Sequence, residues 1–145
     1  MTRFGVIFSA IVLLLGAAPA VAQGAEPIGV WQTEKGDARV KVTKCASGIC
    51  GVVVWLRDPI DRATGQPQLD DKNPNPSLRT RPVIGLSLFL GMRPSGSGQW
   101  SGQIYNADDG GTYVGHVSFA SADALRVDGC VGVICGGETW ARVGR

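Results

Sequence analysis

Apolar and polar residues alternate in short runs along most of this chain, and turn-forming residues break the runs at close intervals. Side chains that return to one face at every second position line a strand, whereas a helix would return them at every third or fourth. In "ARVKVTKC", Val40 and Val42 share one face while Arg39, Lys41 and Thr43 share the other. In "TYVGHVSFA", Tyr113, Val117 and Phe119 oppose His116 and Ser118. Eight such segments can be drawn, at 28–33, 38–45, 50–57, 83–90, 99–106, 112–120, 124–129 and 138–143. The third and fourth are apolar on both faces, which predicts a cover over them.

Most connections are short and rich in turn residues, such as Glu34-Lys35-Gly36-Asp37, Ala46-Ser47-Gly48, the 94–98 stretch "PSGSG" and the 107–111 stretch "ADDGG". Short connections make antiparallel neighbours. Eight strands without an evident helix predict an all-β fold, an eight-stranded antiparallel up-and-down barrel, with a two-sheet sandwich as its rival. In such a meander the odd-numbered connections gather at one end and the even-numbered ones at the other. One connection, residues 58–82, "DPIDRATGQPQLDDKNPNPSLRTRP", far exceeds a hairpin loop. It falls at the odd end beside the 107–111 turn. It is expected to be an ordered lid, with one helical turn over Pro76–Arg79.

The N-terminus reads as a secretion signal. Arg3 supplies the positive charge, residues 4–15 a short apolar run, and Ala20-Val21-Ala22 a small-residue cleavage site. Cleavage after Ala22 would leave a single domain over 23–145, periplasmic or secreted. In that setting Cys45, Cys50, Cys130 and Cys135, two C-x4-C pairs, are expected to form disulfides. The barrel's alternation puts the pairs at opposite ends, which favours local bridges over crossed ones. A four-thiolate zinc site is the alternative.

After loss of Arg3, thirteen bases face twelve acids. That balance offers no basic stripe for nucleic acid. Charged residues alternate onto the outer face, against a membrane-spanning barrel. Catalytic chemistry is poorly supplied as well. His116 is the single histidine and sits among outward residues, no Gly-x-Ser-x-Gly elbow occurs, and Asp70-Asp71 and Asp108-Asp109 lie in turns where carboxylates bond local backbone. No enzyme, no metal and no cofactor is expected. The candidate ligand contacts are instead the aromatics Trp55, Tyr105 and Tyr113 near the lid, with Arg57, Arg79 and Arg81 for an anionic headgroup.

The segments "VVVWLRDP", "GQPQLDDKNPNPSLRTRPVIGLSLFLGM", "WSGQIYNADDGGTYVGHVSF" and "LRVDGCVGVICGGETWARV" resemble the DUF2147 family of exported bacterial proteins. The most specific part is the lid block carrying Asp70, Asn73, Pro74, Leu78, Arg81 and Pro82, with Asp58 just before it. The resemblance implies a lipocalin-like barrel with an internal cavity. Lipocalins open with Gly-x-Trp and stack an arginine over that Trp. Gly29 and Trp31 supply the first element, and Arg142 beside Trp140 is the first candidate for the second, with Arg145 the other, so that Gly29, Trp31, Trp140 and Arg142 would close the barrel.

Two functions follow as expectations. One is an exported carrier or sensor of a small apolar or amphipathic molecule, gated by the 58–82 loop. The other is a filled barrel whose loop binds an envelope protein, in the manner of small exported inhibitors.

Overall fold

A computed structural model describes residues 25–145; the expected signal peptide, residues 1–22, and its cleavage point lie outside the described residues. Eight strands follow in chain order: β1 (Gly29–Gln32), β2 (Ala38–Cys45), β3 (Gly48–Leu56), β4 (Phe89–Gly96), β5 (Gln99–Asn106), β6 (Gly111–Ser121), β7 (Ala124–Val131) and β8 (Ile134–Gly144). Each pairs antiparallel with its neighbours, and β8 pairs back onto β1, closing the barrel. The expected up-and-down barrel is the fold, and the sandwich is excluded.

Five connections between strands are tight. The β7–β8 hairpin turns through Gly132-Val133, where Gly132 adopts φ +59°. That turn is shorter than the sequence implied. Both strands therefore run on past their predicted ends, at 129 and 138, until Cys130 and Cys135 face each other directly. The disulfides are local, Cys45–Cys50 and Cys130–Cys135, at opposite ends of the barrel.

The fourth strand departs from expectation. It runs over Phe89–Gly96 rather than 83–90, carrying through Pro94, whose missing N–H leaves an irregular register against β5. Residues 86–88 instead run antiparallel beside β3, bridged at Val52 and Ser87, with Gly85 N–H donating to the Val53 carbonyl and Leu88 N–H to that of Gly51. A second departure lies in β3. Arg39 pairs with Trp55 but Val40 pairs with Val53, so Val54 is an extra residue. A bulge of one residue reverses the side-chain alternation beyond it. Trp55 consequently points outward beneath the Arg39 guanidinium, 4.6 Å away, and Leu56 turns in. On the outer face of this apolar strand Arg39 covers Trp55, while Val54 stays exposed.

The closed end is solid. Trp31, Val40, Val42, Ile49, Phe89, Met92, Trp100, Val117, Leu125, Val127 and Trp140 form one buried cluster. Phe89 and Trp140 stack with their ring planes 6° apart, 5.7 Å between centroids. Trp31 is fully buried and donates its indole N–H to the Pro27 carbonyl at 2.8 Å. Arg142, its partner across β1 and β8, lays its guanidinium over the indole 4.2 Å from the centroid. The same guanidinium donates to the Ile28 and Ala122 carbonyls and pairs with Asp123.

Candidate functional site

The long 58–82 connection is folded rather than loose. Residues 59–68 make a small hairpin, in which Asp61 N–H donates to the Gln66 carbonyl and Gln68 N–H to that of Pro59. A second ladder joins 68–70 to 81–83. Between its arms, Pro76–Leu78 form one 3-10 turn capped by the Asn75 side chain, close to the single helical turn expected there.

A buried carboxylate latches this loop to the barrel. Asp70 has no solvent exposure at all. Its Oδ1 accepts from the Tyr105 hydroxyl of β5 at 2.5 Å. Its Oδ2 accepts from Asn73 Nδ2 at 2.9 Å and from Arg81 Nε and Nη2, both at 2.8 Å. Asn73 Nδ2 also donates to the Tyr105 hydroxyl oxygen at 3.0 Å. A buried carboxylate is tolerated when a cation and further donors satisfy it, as here. Burial, and then the Asp70 carboxylate, raise the Tyr105 pKa above the ordinary tyrosine value.

The second anchor is at the β5–β6 turn. Lys72 Nζ donates to the Asp108 carbonyl at 2.7 Å, and the Lys72 carbonyl lies where a Cβ on Gly110 would sit, 1.9 Å from it. Gly110 also adopts φ +73°, so only glycine fits this approach. Nearby, Asp109 accepts from the Tyr113 hydroxyl at 2.6 Å. That bond, with one from the Gly111 N–H, lowers the Asp109 pKa, while the Asp109 carboxylate raises that of Tyr113.

Beneath the loop, at the odd end, lies a cavity of about 920 Å³. That is within the range of small-molecule pockets, about 300–1,000 Å³. Val53, Leu56, Leu88, Ile104, Val127 and Trp140 make up much of its wall, and Gln68, Leu69, Asp71 and Lys72 of the loop form part of its roof. The space exists because β7 and β8 lack side chains at this level. Gly129 and Gly136 face each other in register, and a Cβ on Gly136 would meet nothing within 4 Å. Alternation back from buried Trp140 brings Glu138 and then Gly136 to the inner face.

The candidate contacts named from sequence distribute unevenly. Tyr105 and Tyr113 line the cavity. Trp55 is outside the barrel because of the bulge. Arg57 lies beside Asp58 and donates to the Lys35 carbonyl, Arg79 donates to the Asn73 carbonyl, and Arg81 is engaged by Asp70; none of the three lines the cavity. The lid block is joined as one unit through Asp70, Asn73 and Arg81, while Leu78 ends its 3-10 turn and Pro82 bridges Leu69. The lining residues not anticipated include Glu138 and the facing glycines. Alternation from Trp140 carried the signal for them.

His116 is on the outer face, where its Nδ1 meets Ser101 Oγ at 3.0 Å. Asp128, opposite it on β7, is held by Arg126. The rim of the cavity ends in an apolar hairpin tip, with Val131, Val133 and Ile134 at 67%, 99% and 76% exposure.

Comparison with known proteins agrees with this architecture. The family model described as an uncharacterised protein conserved in bacteria, DUF2147, matches residues 29–142. No curated protein matches the chain. A solved structure, protein HP1028 from the human pathogen Helicobacter pylori, described as belonging to the lipocalin family, superposes with a TM-score of 0.69 at 24% identity. The alignment covers 81% of this chain and 83% of that one, a likeness in fold.

Proposed function

This chain belongs to the DUF2147 family, and we propose that it is an exported, non-enzymatic barrel that binds or carries a small apolar or amphipathic molecule beneath the 58–82 loop. The observation that supports this is the divided interior. Large side chains fill the closed end, yet at the lid end the Gly129–Gly136 pair leaves an apolar space of ligand size. A barrel built only as a rigid platform gains nothing from that void, because unfilled volume forfeits dispersion contacts. Two local disulfides and a secretion-like N-terminus support export to the periplasm or beyond.

Native mass spectrometry of protein purified from the bacterial envelope tests the proposal. A stoichiometric adduct, released by solvent and identified as an apolar or amphipathic molecule, is the expected result. A bare protein mass that persists after incubation with envelope lipid extract would contradict it.

The hairpin tip supports a second reading, binding of an envelope protein. Three exposed apolar side chains at a disulfide-braced turn form a surface that a partner could cover. In that case the tip, rather than the cavity, would carry the function.

A further inference from the structure

The cavity wall carries a glutamate, Glu138, among its apolar residues. Glu138 projects inward from β8, opposite Val127 and two positions before buried Trp140. One of its carboxylate oxygens accepts from the Trp140 indole N–H. Among the described residues, no lysine or arginine forms an ion pair with it; Arg126, on the adjacent strand, is bound to Asp128. The other charged lining residues are five carboxylates and two lysines, Lys35 and Lys72. Lys72 is directed to the Asp108 carbonyl. The interior thus joins apolar walls to an excess of negative charge, with the half-buried Glu138 carboxylate beside Val127 and Trp140.

A cation placed beside a carboxylate in a partly desolvated site gains a charge-assisted hydrogen bond. Among the described residues, no arginine lines the cavity. An anionic headgroup would bring like charge against Glu138. We propose that the cavity takes an amphiphile with a cationic end, an alkylammonium in its simplest form, and that Glu138 recognises that end while Val53, Leu88, Ile104 and Val127 contact the apolar part. This rests on the ligand-binding function proposed above.

Isothermal titration of the mature protein with decylammonium, decanol and decanoate, each below its micelle concentration, separates the two claims. The wild-type protein should bind decylammonium about ten-fold more tightly than decanol, the scale of one charge-assisted contact, and decanoate more weakly than either. Glu138→Gln keeps an acceptor for the Trp140 N–H. It should bring decylammonium and decanol within about two-fold of each other. Equal wild-type affinities for decylammonium and decanol would overturn the assignment, as would a preference that survives Glu138→Gln. The barrel would then remain a ligand binder without this selectivity. Failure of all three ligands to bind would overturn the ligand-binding function as well.

Discussion

The Tyr105 hydroxyl donates to the Asp70 carboxylate at 2.5 Å, joining a strand of the barrel to the middle of its longest loop, 35 residues away in sequence. This bond and the Lys72 contact with the Asp108 carbonyl set the loop's position over the cavity. Tyr105→Phe keeps the ring but leaves one buried oxygen of Asp70 without its donor. It should cost about 1–3 kcal/mol, read as a lower midpoint in urea. Amide exchange should also quicken over residues 68–83, the segment the bond anchors. Unchanged exchange there would mean that the loop is held by its own hairpins.

The same pair makes stability fall at high pH. Both tyrosines of the chain have raised pKa values, Tyr105 through burial and Asp70, Tyr113 through Asp109. A raised folded value means that the neutral phenol is favoured in the folded state. Its contribution is complete below the unfolded tyrosine value, about 10, and is lost as pH rises through the folded one. Asp109 works oppositely: its value is lowered, so its contribution is present above the unfolded carboxylate value and lost as pH falls through the folded one. Urea midpoints should therefore be flat near neutrality and decline at both extremes. Tyr105→Phe should reduce the alkaline decline.

At the closed end, Arg142 covers Trp31 and also bonds the Ile28 and Ala122 carbonyls. Arg142→Ala should lower stability by about 1–3 kcal/mol in thermal unfolding, through loss of the stacking and of carbonyl partners. Arg142→Lys should recover little, because an ammonium cannot reproduce a planar fork that stacks and bonds together.

The two disulfides act as independent local staples. Each joins cysteines five residues apart, so the chain-entropy model assigns each about 2 kcal/mol. Replacing either pair with serines should lower the urea midpoint by a similar amount, and the losses should add, since the bridges lie at opposite ends.

Much of the barrel was legible because strands announce themselves by alternation. Val40 and Val42 marked the inner face of β2, and Gly29, Trp31 and Arg142 marked the closure. What stayed hidden was set by single residues acting through register. The extra Val54 turned Trp55 from inner to outer face, and a bulge leaves no mark in an apolar run such as "GVVVWL". Pro94 argued for a turn, yet β4 accommodates it at an irregular pairing. The lid arginines were read as ligand contacts because their charge was visible and the buried position of Asp70 was not. Glu138 was the converse, a charge overlooked on a strand whose Trp140 already indicated the inward face.

The cavity beneath the 58–82 loop is the central claim, and a titration with the uncharged fluorophore N-phenyl-1-naphthylamine tests it most directly. Gly136 offers the matching control, since a side chain placed there projects into open space rather than into the core. The wild-type protein should give saturable fluorescence enhancement at one probe per chain. Gly136→Trp should abolish it while shifting the melting temperature by no more than a few degrees. Enhancement that is absent from the wild type, or equally strong in folded Gly136→Trp, would contradict a ligand site in this cavity.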